Sequence, residues 1–156
     1  MNFALVEQPP GWAREAPIQL HHELMLPAPP QAVFAVLADS PGWTDWFRGM
    51  RRVRIDGADR GVGTLRTVWV GMNRVQERFN VWDEPGAIAF NIVSSNVPGL
   101  HSMVEDYRIE EAPGGAKLTI TVGVAAAGPL RLLPGLVRAI VGRPTSGVLG
   151  ISAAFA

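Results

Sequence analysis

Two strand-like stretches place acids among apolar neighbours. In Asn73–Trp82 the odd positions read Asn73, Val75, Glu77, Phe79 and Val81, and in His101–Ile109 they read His101, Met103, Glu105, Tyr107 and Ile109. Side chains alternate along a strand, so each pattern predicts one covered and one wet face. An ionised carboxylate on a covered face is costly unless it is paired or reaches trapped water. Glu77 and Glu105 therefore point to a face that lines a cavity with a polar spot, not a dry core. Glu105 and Tyr107 lie about 7 Å apart along one face. Burial raises a carboxyl pKa, and two nearby carboxyls raise one of them further. If Glu77, Glu105 and Tyr107 converge, the acids could serve as general acid and base in a dehydration or aldol-type cyclisation. Tyr107 would then hold a carbonyl or enolate oxygen. His101 is a further proton-transfer candidate. The alternative is a polar cluster without turnover, in which Glu77 pairs with Arg66.

Other chemistries find little support. There is no cysteine, which removes disulfides, thiolate metal sites and cysteine nucleophiles. His21, His22 and Glu23 invite a metal reading, but adjacent strand residues face opposite ways, and His21 with Glu23 makes only two ligands. No metal site is expected. Gly61-Val62-Gly63 reads as a turn, and no nucleophile elbow, phosphate loop or dinucleotide fingerprint occurs. No cofactor is expected. Fourteen basic and fourteen acidic residues give a formal net charge of zero, which argues against a nucleic-acid or anionic-membrane surface. The local exception, Arg48, Arg51, Arg52 and Arg54, reads as a solvated loop and strand start. Met1–Arg14 lacks the basic start and apolar run of a signal peptide. No uncharged apolar run approaches the ~20 residues that span a bilayer. The expectation is a soluble cytoplasmic protein without stable membrane insertion.

The chain has 156 residues, 47% of them hydrophobic, enough for one domain with a real core. Residues 1–17 read as an irregular N-terminal arm, and residues 18–156 as a single domain. Ile18–Leu26 alternates as a first strand. Pro30 suits the first turn of a helix over Gln31–Ala38. Trp43, Trp46 and Phe47 fit a second short helix. Strand patterns follow at Met50–Ile55, Thr64–Val70, Asn73–Trp82, Ala87–Val93, His101–Ile109 and Ala116–Val124, separated by Gly- and Pro-rich turns. Short links favour antiparallel neighbours. Apolar spacing over Leu130–Val141 predicts a terminal helix, broken or kinked from Gly142 onward by Pro144, Gly147 and Gly150. This order predicts an α+β fold, one curved antiparallel sheet wrapped on a helix. The fragmented segment after Gly142 is the place where an exposed homodimer surface could lie.

The same order, with Pro27–Phe34, Leu37-Ala38-Asp39, Trp43 and Trp46, Gly61–Arg66, Glu77-Arg78, Trp82–Pro85, Tyr107–Glu110, Gly114-Gly115 and Leu118-Thr119 in place, resembles the START/Bet v 1-like (SRPBCC) superfamily. The polyketide cyclase/dehydrase and lipid-transport-like branch is the nearest. The resemblance covers Ile18 to the end. It implies a helix-grip fold: a seven-stranded curved antiparallel sheet around a long C-terminal helix, with two short helices after the first strand. It also implies a cavity for a hydrophobic small molecule, polyketide- or lipid-like. The expected lining comprises Trp43 and Trp46 from the short helix and Arg66, Val68, Val75 and Phe79 from the middle strands. Phe90, Ile92 and Met103 extend it, and Leu133 and Val137 close it from the terminal helix. Ser94–Leu100 is expected near the mouth. The family does not imply one chemistry, since it holds carriers, receptors and cyclases.

Overall fold

The computed structural model describes all 156 residues. Its core is an antiparallel sheet built from β2 (Ile18–Leu26), β3 (Met50–Ile55), β4 (Leu65–Val70), β5 (Asn73–Asp83), β6 (Ala87–Ser95), β7 (Leu100–Ala112) and β8 (Gly115–Ala126). Strand order is β2-β8-β7-β6-β5-β4-β3, and a two-residue strand, β1 (Phe3–Ala4), joins β6. Helices α1 (Pro30–Ala38) and α2 (Trp43–Trp46) bridge the two sheet edges, and α3 (Pro134–Thr145) crosses the concave face. Proline opens both α1 and α3, where its missing N–H has no intrahelical partner to lose. The hydrophobic core lies between the sheet and these helices and includes Phe34, Leu37, Trp43, Phe79, Phe90 and Leu118.

Of four β-bulges in the sheet, the three in β5, β6 and β7 set which residues of those strands face inward. Phe79 pairs with Phe90 but Val81 pairs with Ala89, so Asn80 is an extra residue in β5. An extra residue reverses the inside–outside phase beyond it. Trp82, not Val81, therefore turns in and meets Phe34 and Phe79 edge-on. In β6, Glu77 pairs with Ile92 and Gln76 with Ser94. Val93 is thus the extra residue, and Ser95 turns inward. In β7, Leu100 pairs with Ala126 and Ser102 with Ala125, which leaves His101 unpaired.

The N-terminal segment is ordered against the sheet. The β6–β7 ladder ends at Asn91 and Val104, and the arm fills the opening. Leu5 N–H donates to Val93 O at 3.0 Å and Val6 N–H to His101 O at 2.8 Å, while the Leu5 side chain enters the core. Further along, Gln8 donates to Asn91 and Ser102, and Arg14 pairs with Asp106 at 2.8 Å. This cover explains why Ser102, Val104 and Asp106, on the face alternation marks as wet, are buried.

The C-terminal segment also departs from expectation. The α-helix continues through Pro144 to Thr145, and a 3-10 helix follows over Ser146–Phe155. Gly147, Val148, Gly150 and Ile151 are buried, so one side of the segment after Gly142 is docked on the domain. Its glycines permit close approach to α2. A Cβ on Gly150 would sit 2.0 Å from Trp46 O, and one on Gly147 would sit 2.4 Å from Arg48 O. Gly150→Ala should therefore destabilise the fold by roughly 1–3 kcal/mol. Gly135, with open space around it, should become neutral to stabilising as alanine, by up to about 1 kcal/mol. Urea denaturation of the two variants checks the opposite signs.

Candidate ligand cavity and its buried acid cluster

A cavity of about 60 Å³ lies between the concave sheet face and α3. Val68 and Val70 of β4, Val75 and Glu77 of β5, Ile92 and Ser95 of β6, and Leu100, Met103 and Glu105 of β7 form its wall. Trp43, Phe47 and Met50 close one end, and Ile140, Val141, Pro144 and Thr145 form the roof. The volume suits a few waters. It is far below the roughly 300–1,000 Å³ of sites for drug-sized molecules. A larger occupant fits only if the roof moves. α3 is held by one narrow stripe, Val137, Val141 and Thr145, with its other side chains exposed or half-buried.

At the walled end the pairing of β4 with β5 sets Arg66 opposite Glu77. Arg66 Nε lies 2.5 Å from Glu77 Oε2, with the arginine fully buried and Glu77 nearly so. Arg66 Nη1 donates to Ser40 Oγ at 3.1 Å. The guanidinium lies 4.0 Å from the Trp43 ring centre, 4.9 Å from Phe79 and 5.0 Å from Phe90, a cation held among aromatic faces. On β7, Tyr107 donates its hydroxyl to Glu105 Oε2 at 2.8 Å. Each carboxyl thus commits one oxygen inside the protein and turns its residue to the cavity.

Burial raises the Glu77 carboxyl, and Arg66 acts against that rise by charge and hydrogen bond. Burial, and then the Glu77 charge, push Glu105 up to about 7. Burial and the adjacent Glu105 hold the Tyr107 phenol well above its ordinary value. One guanidinium compensates one carboxylate. The ion pair assigns that charge to Glu77 and leaves the proton on Glu105 near neutral pH.

Of the residues singled out from sequence, Glu77, Glu105, Trp43, Val68, Val75, Ile92 and Met103 border the cavity. Arg66, Phe79 and Phe90 lie behind it, as the ion pair and its aromatic cage. Tyr107 also lies behind it, with its hydroxyl on Glu105 rather than free for a ligand. Trp46 packs at a tilt against Trp43 and Phe47 and does not line the cavity. Val137 is packed into the core and Leu133 is half exposed. His101 stands in its bulge, exposed, and approaches Ser102 Oγ through Nδ1 at 3.0 Å. It does not join the acids. The loop expected at the mouth does contribute, through Val97 and Leu100. Ser40, Phe47 and the roof residues of α3 were not singled out. Phe47, at helical spacing from Trp43, was the legible one among them.

The antiparallel sheet gripping a C-terminal helix is the helix-grip architecture. Solved structures share it. One is Ara h 8.0201, 19% identical, with a TM-score of 0.71 over 88% of this chain and 96% of that one. The aromatase/cyclase Zhui from a Streptomyces species is 20% identical, with a TM-score of 0.71 over 87% and 92%. A START superfamily protein from Mycobacterium smegmatis is 14% identical, with a TM-score of 0.60 over 82% and 97%. Residues 17–149 match the family described as polyketide cyclase / dehydrase and lipid transport, and the chain belongs to that family. Uncharacterized proteins of Mycobacterium bovis and Mycobacterium tuberculosis are 31% identical over 123 residues, 78% of this chain and 74% of theirs. No helix is long and apolar enough to cross a membrane.

Two outcomes follow from the charge arrangement. Arg66→Met should cost about 3–5 kcal/mol, because it strands Glu77, whereas Arg66→Met with Glu77→Leu should recover most of that loss. Urea denaturation of both variants decides this. Glu105 has a raised folded pKa, so the stability it allows is complete below the ordinary carboxyl value of 4.5 and is lost as pH rises through about 7. Glu105→Gln should abolish this loss, on the order of 3 kcal/mol between about pH 5 and 8. Unfolding free energies across that window check it.

Proposed function

We propose that this protein binds a hydrophobic or aromatic small molecule, polyketide- or lipid-like, in the cavity under α3. The observation that carries this reading is the pair of buried carboxyls at one end of an otherwise mostly apolar space. A core without a ligand would gain by filling that space with aliphatic side chains. Apolar walls with a few convergent polar groups are the usual chemistry of a ligand site. Membership in a family associated with cyclisation, dehydration and lipid transport supports the same reading.

A catalytic version has one observation in its favour. Burial raises both carboxyls, but only Glu77 has a cation against it, while Glu105 is pushed up to about 7. That is how an acid and a base coexist at neutral pH. In that version Glu105 delivers a proton to a leaving hydroxyl or a carbonyl, as in a cyclase or dehydratase, and Glu77 accepts one.

Native mass spectrometry of protein from its own host is the test. A co-purifying apolar molecule is expected, and Val75→Phe, which fills the cavity, should abolish its retention. A ligand-free mass in every preparation, together with no binding of any apolar probe, would overturn the reading. Hydrogen exchange should also change most on α3 when a ligand enters, because the roof must yield.

A further inference from the structure

The charge inventory of the cavity's closed end is unbalanced in one direction. The ionisable groups facing it are Arg66 from β4, Glu77 from β5, and Glu105 and Tyr107 from β7. α2 and α3 contribute only Trp43, Ile140, Val141, Pro144 and Thr145 to the lining. No lysine, arginine or histidine borders the cavity. The one cation is shut away. Arg66 is fully buried, with Nε on Glu77, Nη1 on Ser40 and its faces against aromatic rings. Its charge faces Glu77, and Nη2, which has no hydrogen-bond partner, is itself buried away from the cavity surface.

The ionisable groups that the cavity does see are acids. Glu77 bonds within the protein only through Oε2, and so does Glu105. The two Oε1 atoms have no protein partner, although both residues are more than nine-tenths buried. The other polar groups of the lining are uncharged: the Asn73 amide, the Ser95 hydroxyl and the Thr145 hydroxyl. Thr145 donates its hydroxyl to Val141 O at 2.8 Å, and Ser95 Oγ accepts Val97 N–H at 3.0 Å. We propose that the polar end of the ligand is a protonated amine, on an aryl or alkyl body, held between Glu77 and Glu105.

This rests on the reading that the cavity takes an apolar ligand, and it specifies that ligand's head group. With an ammonium bound, two cations face two carboxylates and the buried cluster is neutral. A carboxylate or phosphate ligand would instead add a third acid beside one enclosed guanidinium, in a site with little water to screen it. A neutral alcohol satisfies one oxygen and leaves Glu105 protonated. The amine ionises Glu105, so each binding event releases one proton while Glu105 is protonated in the free protein. Amine affinity should therefore rise about tenfold per pH unit below the Glu105 midpoint and level off above it.

The experiment is calorimetric titration with 2-phenylethylamine, 2-phenylethanol and 3-phenylpropionate, at about pH 6 and 8, in buffers of different ionisation enthalpy. The amine is expected to bind at least about tenfold tighter than the alcohol at the higher pH. The acid should not bind. Close to one proton per amine should pass to the buffer at the lower pH, a readout needing no variant. Glu105→Gln should bring the amine down to the alcohol's affinity measured in the same variant, and should abolish the proton release. Binding of the alcohol with no preference for the amine, or preference for the acid, would overturn the ammonium assignment while sparing the apolar-ligand reading. Failure of all three probes, with no co-purifying molecule, would remove both.

Discussion

The buried guanidinium of Arg66 is the constraint around which the closed end of this fold is arranged. A fully buried cation is tolerable only with a paired anion, hydrogen bonds and polarisable neighbours. Each of those comes from a different part of the chain. Glu77 is supplied by the register of β4 on β5. Ser40 comes from the turn between α1 and α2, and Trp43 from α2. Phe79 and Phe90 come from paired positions on β5 and β6. The ion pair therefore ties the short helices to the middle of the sheet. Trp43 reinforces the tie by donating its indole N–H to Leu37 O at 2.9 Å. Burying such a pair is not in itself a strong source of stability. Its effect is to fix where α2 can sit, and hence where the cavity ends.

The second acid follows from the first. Glu105 lies near a carboxylate already compensated by the only nearby cation, so it gains nothing by ionising. Tyr107 accommodates either state, because a phenol can donate to a carboxylate or to a carbonyl-like oxygen of a neutral carboxyl. The result is one fixed charge and one movable proton at the end of an apolar space. Carboxyl oxygens lacking partners cannot be packed against methyl groups without loss, which gives a physical reason for the cavity to stay open beside them.

Much of the strand layout was legible because alternation and turn residues are local signals. Ile18–Leu26 and Met50–Ile55 fall where their patterns place them. Glu77 and Glu105 were legible for the same reason, since each lies on a regular stretch beside a bulge. Bulges were not legible, because one extra residue leaves no mark in composition. His101 and Val81 each lose their inward place to a phase reversal at or before them, and Ser95 gains one. The arm was opaque for a different reason. Its hold on Val93, His101 and Asp106 is long-range, and prolines signal only local irregularity. The glycines after Gly142 suggested a break, whereas Gly147 and Gly150 are there for close approach to α2. That contact is invisible until the helix and the tail are seen together.

The geometry also weighs binding against turnover. A cyclase or dehydratase acting through a carbonyl must stabilise negative charge as it develops on oxygen. The donors that could do so are largely committed elsewhere. Tyr107 is engaged by Glu105, Arg66 is enclosed, and no other cationic side chain lines the cavity. Among the ionisable groups what remains is the single proton of Glu105, which would have to act as acid and as oxyanion donor in the same step, next to the Glu77 carboxylate; the other donors of the lining, the Asn73 amide and the Ser95 hydroxyl, are uncharged. An anionic transition state is disfavoured there by the same field that favours a cationic ligand. Solved structures with the same fold carry names as different as an aromatase/cyclase and a START superfamily protein, so the fold cannot arbitrate. The sign of the charge at the closed end can, and it favours anchoring a ligand over transforming one through an enolate.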